Sequence, residues 1–169
     1  EANQVTRMVI AADSNGFALN NDGSHLIRFT TDVKPVITDL GALRDAPSNG
    51  EMSVSDANTS WGGDLISDDS GALYLLTAHN HVFKIDVHTK ISTYIDTIKG
   101  LEVGFTTNGA VVGADGKIIL SSANSFTSYY KVNPSTWVAT LISFKDQVYN
   151  TSDLANENFL GKIVPPPIE

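Results

Sequence analysis

The sequence predicts an all-β chain that forms part of a β-propeller: about three four-stranded blades plus the start of another. Three observations carry this. A strand–turn–strand unit recurs three times along the chain. A basic residue recurs at one place in the third strand of each unit. No segment shows a helical period with proper caps, whereas β-branched and aromatic residues crowd the apolar runs.

The first two strands of each unit lie in Met8–Leu19, Asp64–Leu75 and Gly109–Leu120. Each stretch is a short apolar strand, a tight Asp/Asn/Ser-Gly turn, and a second apolar strand. Glycine accepts the positive φ of such turns, and Asp or Asn bonds back to the local backbone. The third strands are His25–Phe29, His81–Ile85 and Ser128–Val132, with Arg28, Lys84 and Lys131 at the matching place. A polar turn follows each one. The fourth strands are Pro35–Leu40, Ile91–Ile95 and Trp137–Ile142.

The turn glycines Gly16, Gly71 and Gly116 are 55 and 45 residues apart, against roughly 40–50 residues for one blade. Blades are expected at 6–43, 61–101 and 107–144, within a partial propeller spanning 1–160. The surplus of the first interval falls between Arg44 and Ser60, a polar, turn-rich stretch that reads as an inserted inter-blade loop. Ser152–Ala155 lies one blade-length after Asn108–Ala110, so 151–160 is expected to start a further blade. Pro165, Pro166 and Pro167 then stop regular pairing, leaving 161–169 as a Pro-rich tail. A β-sandwich or a solenoid also has many short strands, but neither explains why turn, basic position and fourth strand recur together. Propellers have roughly four to eight blades, so the chain is expected to be half of a six- to eight-bladed ring. A companion propeller segment or a second copy is expected to close it, because uncovered blade faces are large apolar patches.

Composition narrows the function classes. The 169 residues carry 11 basic and 19 acidic side chains, a formal charge of −8. Nucleic-acid binding needs a basic face to neutralise phosphates and is not expected; solubility accounts for the acidity. No apolar run approaches the roughly 20 residues of a membrane span. The chain has no cysteine, which excludes structural disulfides, thiolate catalysis and zinc–thiolate sites. Glu1–Gln4 has neither a basic nor an apolar leader region, as in a mature exported protein or a fragment.

The pattern Gly63-Asp64-Leu65-Ile66, Asp69-Ser70-Gly71-Ala72-Leu73-Tyr74-Leu75, Val82-Phe83-Lys84-Ile85-Asp86 and Thr89 resembles the NHL/SMP-30 type of propeller blade. With the lead-ins Thr59–Asp64, Gly104–Ala110 and Ser152–Asn156, the chain is similar to propeller domains of exported and outer-membrane-associated Bacteroidetes proteins, some carrying OmpA-like modules. The resemblance spans roughly residues 6–160 and implies a secreted, periplasmic or cell-surface location. It is specific for architecture and weak for activity. SMP-30-like lactonases hold a divalent metal in the channel with a Glu, an Asn and an Asp; that triad has no residue-by-residue match here, so lactonase chemistry is not carried over.

Candidate chemistry is sparse. His79 and His81 form a His-x-His on one strand face, near Asp86 and His88. His25 holds the same repeat position as His81, which favours a structural role. Asp68–Gly71 and Asp13–Gly16 offer oxygens and a glycine but lack the ligand spacing of a calcium loop. No Gly-x-Ser-x-Gly elbow, P-loop or dinucleotide fingerprint occurs. No catalytic or metal-ligating set is therefore assigned. Among aromatics near loops and strand ends, Phe126, Tyr129, Tyr130 and Trp137 read mainly as packing between blades. Trp61 is the best candidate for contact with a ligand. With Asp64, Phe105, Thr107 and Asn108, and with Asp153 and Asn156 from the last lead-in, it would line one mouth of the propeller.

The expected function is a non-catalytic binding and scaffolding module of a secreted or cell-envelope protein, with a protein or glycan ligand and no cofactor. The alternative is a metal-dependent hydrolase or lactonase with a divalent metal in the central channel.

Overall fold

The computed structural model describes residues 2–124, 129–143, 149, 151–155 and 157–162. Its regular structure is β apart from one short 3-10 turn, Pro47–Asn49. The strands are β1 (Val5–Ile10), β2 (Asn15–Asn20), β3 (Leu26–Thr30), β4 (Ile37–Gly41), β5 (Arg44–Asp45), β6 (Asp64–Ser67), β7 (Leu73–Leu76), β8 (His81–Asp86), β9 (Ile91–Thr97), β10 (Gly109–Val112), β11 (Ile118–Ser121), β12 (Tyr130–Asn133) and β13 (Val138–Leu141). Three antiparallel meanders result: β1-β2-β3-β4, β6-β7-β8-β9 and β10-β11-β12-β13, with β5 added in parallel along β9.

The three meanders share one register. Met8 pairs with Ala18, Leu65 with Leu75, and Ala110 with Leu120. Across the next pair of strands, Ala18 faces Ile27, Leu75 faces Phe83, and Leu120 faces Tyr130. The fourth strand follows suit, with Phe29 opposite Ile37, Ile85 opposite Ser92, and Val132 opposite Ala139.

Period-two alternation sends successive side chains to opposite faces, and the middle sheet is apolar on both. Leu65, Leu73, Leu75, Phe83 and Ile85 point to the first sheet, where Phe17, Leu19 and Leu26 meet them. Ile66, Leu76 and Val82 point to the third sheet, against Val112, Ile118, Leu120 and Val132. The sheets therefore stack face to face in chain order, with β6 beside both β1 and β10. Burial of these side chains, at about 25 cal/mol per Å² of apolar surface, is the main favourable term.

The stretch from Arg44 to Ser60, expected as a loop, has a structural part to play. Arg44 and Asp45 pair in parallel with Ile91 and Ser92 on the outer edge of the second sheet. Asn49 then accepts from Tyr94 N and donates to the Ser92 carbonyl. Lys99 treats the third sheet in the same way: its N–H reaches the Trp137 carbonyl, and its carbonyl accepts from Ala139 N. The exit of each of these sheets thus straps the outer edge of the next.

Close backbone approach explains one glycine. A Cβ at Gly63, where φ is +90°, would lie 2.0 Å from the Leu76 carbonyl oxygen. The Asp-Gly hairpin of the second sheet is closed by Asp68, whose Oδ1 accepts from the backbone N–H groups of Ser70 and Ala72 and from the Ser70 hydroxyl.

Beyond the third sheet, Asp153 and Leu154 lie over Gly109, where a Cβ would meet Leu154 Cγ at 2.9 Å. Leu160 then bridges in parallel to Asp68: its N–H donates to the Ser67 carbonyl and its carbonyl accepts from Asp69 N. Ser125–Ser128, including Phe126, and the tail from 163 onward lie outside the described residues. Among the described residues no helix is long and apolar enough to cross a membrane.

Candidate functional site

The starts of β1, β6 and β10 lie at one end of the stacked sheets, together with the turns that leave β2, β7 and β11. The polar groups at this end are bonded to one another. Trp61 is half-buried, and its carbonyl accepts from Ala78 N in the β7–β8 turn. The same turn carries Asn80, whose amide nitrogen donates to the Phe105 carbonyl. Asn80 Oδ1 accepts from both the backbone N–H and the hydroxyl of Thr107. One turn of the second sheet therefore joins the lead-ins of the second and third sheets. Asn108 Oδ1 accepts from Thr106 Oγ1 and from Ala123 N, and Asn124 donates to Thr106 Oγ1.

Two ionisable side chains sit beneath this surface, both buried. Arg7, on β1, donates to the carbonyls of Ser60 and Gly62 on the second sheet's lead-in, and to the carbonyl of Asn20. Burial lowers its pKa to about 10, with Asp22 opposing the shift. Asp64, on β6, occupies the position in its sheet that Arg7 occupies in the first. Its Oδ2 accepts from Ala110 N of β10 at 2.7 Å, and its Oδ1 from Leu65 N at 2.7 Å. Burial pushes its carboxyl up to about 8; the neighbouring Asp153 charge adds to the rise, and the two N–H groups oppose it. Each residue clasps its sheet to the next, Arg7 through carbonyls and Asp64 through an N–H.

No protein-family model matches the sequence, and no curated protein matches it. Solved structures do resemble it. The WD40 repeats of RRP9 align with a TM-score of 0.53 at 14% identity, over 85% of this chain and 39% of that one. U3-55K aligns with a TM-score of 0.52 at 13% identity, over 83% of this chain and 39% of the other. An extracellular domain assigned to the hybrid two component system BT4673 from B. thetaiotaomicron gives 0.56 at 17% identity, over 86% of this chain and 19% of that chain. The fold is a β-propeller. The chain spans well under half the length of these neighbours.

In propeller terms, β1, β6 and β10 are the inner strands of blades 1, 2 and 3, and the bonded loops form one mouth. The residues expected there differ in what they present. Trp61 offers part of its ring, Asn108 is half-buried, and Asp153 is exposed. Phe105 is buried, its ring edge-to-face with Tyr130 at 5.1 Å between centroids. Thr107 and Asp64 are buried as well, so all three act from beneath the surface. Asn156 lies outside the described residues. Tyr130 and Trp137 are buried between blades 2 and 3.

His79 and His81 point to different partners: His79 Nε2 lies 3.1 Å from the Ala57 carbonyl, and His81 Nδ1 lies 2.9 Å from Thr97 Oγ1. Among the described residues no three His, Asp or Glu side chains gather as a metal site would require. Sequence reasoning missed Asn80 and Arg7. Asn80 had a signal, since Asn favours the left-handed turn conformation it adopts here (φ +66°). Arg7 had none, because an isolated Arg on an apolar strand gives no hint of the carbonyls it will meet.

Proposed function

We propose that this propeller segment is a non-catalytic binding module whose mouth contacts a protein partner. The observation that carries this is the internal commitment of the mouth's polar groups. Asn80 uses both ends of its amide within the fold, and Asn108 Oδ1 accepts twice. A glycan site needs unspent donors and acceptors around an open aromatic face. A protein site needs a preorganised surface with an anchor. The mouth has the second character, with Trp61 half-buried and Asp153 exposed. The formal charge of −8 favours a partner segment bearing Lys or Arg.

An exported setting, secreted, periplasmic or on the cell surface, is part of the proposal. It is supported by the extracellular neighbour from B. thetaiotaomicron and by the resemblance of the Gly63–Thr89 pattern to NHL/SMP-30 blades, an assignment that no family model backs.

The test is selection of binding peptides from a displayed library, alongside a glycan array. Peptides should be recovered, and Trp61→Ala should weaken them about tenfold, the range of an interface anchor. Trp61 holds the fold through its backbone carbonyl, which the substitution keeps. Binding to glycans alone, or measured turnover of an ester, lactone or glycoside, would reject the reading.

A further inference from the structure

We infer that Val103 is a second anchor of the mouth, a rigidly held aliphatic knob that enters a small apolar pocket of the same protein partner. The inference rests on the binding role proposed for the mouth and adds to it a residue and the shape the partner must have.

Val103 lies on the lead-in of blade 3, and its side chain is fully exposed. Exposure of one apolar side chain needs no explanation by itself. What sets Val103 apart is how firmly its turn is held. Before it, Leu101 packs against the core of blades 2 and 3. The Glu102 N–H donates to the Tyr130 hydroxyl at 3.2 Å, and the Glu102 carbonyl accepts from Phe105 N at 3.1 Å, which closes the turn. Gly104 has φ +83° and open space where a Cβ would stand, so glycine is needed there for its angle and not for room. After the turn, the Phe105 ring is buried against Tyr130, and the Phe105 carbonyl accepts from the Asn80 amide. Buried groups thus fix the turn on both sides, while the side chain at its tip adds nothing to either core.

Val33 shows the contrast. It is as exposed as Val103, but it sits in the β3–β4 loop, at the end of the sheets away from the mouth. Residues 31–36 of that loop are exposed throughout, so no buried neighbour holds it.

Val103 and Trp61 flank one turn. The Thr77–His81 turn gives the Ala78 N–H to the Trp61 carbonyl and the Asn80 side chain to the Phe105 carbonyl. A partner on this face therefore meets two anchors whose backbones are ordered before it arrives, which lowers the cost of ordering them on binding. The knob is aliphatic and has no hydrogen-bonding group. It suits an apolar pocket on a protein and offers nothing to a sugar hydroxyl. The formal charge of −8 opposes docking on an anionic lipid surface.

The probe is the set of peptides selected from a displayed library on the unaltered chain. Val103→Thr keeps the shape and exchanges one methyl for a hydroxyl; it should weaken those peptides about fivefold, and Val103→Asp about tenfold or more. Neither change should lower the melting temperature, and Val33→Thr should alter neither binding nor melting. Weakening by Trp61→Ala but by neither Val103 variant overturns this inference and leaves the binding role of the mouth standing. Recovery of no peptide overturns both. A lowered melting temperature in Val103→Thr also overturns the inference, because Val103 would then serve the fold. Pelleting of the chain with phosphatidylcholine vesicles, lost in Val103→Asp, would assign the knob to a membrane and overturn the protein partner.

Discussion

Asp64 is buried beside a second carboxylate, Asp153, while two backbone N–H groups point at it. Burial dominates and raises its pKa from 3.8 to about 8. The folded chain therefore holds a proton that the unfolded chain releases near pH 4. Stability from this group is fully present below about pH 4, declines as pH rises, and levels off above about pH 8. Its size is on the order of a few kcal/mol. Asp153→Asn removes the like charge and leaves both N–H bonds to Asp64. It should raise the melting temperature at pH 9 while changing little at pH 5. Equal shifts at both pH values would show that Asp153 does not act through the Asp64 proton. Asp39, Asp86, Asp96 and Asp115 have lowered pKa values from hydrogen bonds and nearby cations, so their contribution is lost instead as pH falls below about 4. In the sequence, Asp64 read as a mouth residue because it sits at a blade lead-in. Its part as a clasp depends on Ala110, a residue 46 positions away, and no local pattern carries that information.

At the scale of the element, two glycines with nearly equal backbone angles should respond differently to alanine. Gly71, in the β6–β7 hairpin, has φ +89° and open space around its would-be Cβ. Gly71→Ala should cost about 1–2 kcal/mol, the left-handed penalty alone. Gly63 has φ +90°, but its Cβ would collide with the Leu76 carbonyl, so backbone must move. Gly63→Ala should cost clearly more, about 3 kcal/mol or above. Denaturant midpoints measured side by side decide this, and equal costs would contradict the close approach. The hairpins were legible from sequence because their signals are local: a turn rich in Asp, Ser and Gly, and alternation on each side. Gly71 and Gly116 sit in the turns as expected, whereas Gly16 lies within β2 and Ser14 takes the positive φ (+65°) of the first hairpin. The straps were not legible. Arg44–Asp45 and Lys99 pair over one or two residues in parallel, too short to leave a period in a polar stretch. Tyr130 read correctly as packing between blades, whereas Phe105 read as a mouth aromatic and is buried with Tyr130 in the core of blades 2 and 3.

At the scale of the whole molecule, blade 2 is the shared wall of two cores. Adjacent residues of β6 illustrate it: Leu65 enters the core with blade 1, and Ile66 the core with blade 3. Leu75 and Leu76 divide in the same way on β7. A defect in either core loosens a sheet that the other needs, so the two cores should unfold together despite belonging to a repeat. Leu75→Ala opens a cavity in the first core and Leu120→Ala in the second. Each should cost about 2–5 kcal/mol. The informative readout is the shape of the melt at fixed protein concentration, because any self-association shifts it by mass action. Both variants should lower one single transition, with the calorimetric and van't Hoff enthalpies still equal. A repeat array whose neighbours couple weakly would behave otherwise, with the mutated end melting first and the far core holding its original midpoint. Two resolved transitions in Leu120→Ala would therefore show that blades 1 and 2 stand without blade 3, and that the alternation along β6 and β7 does not couple the cores.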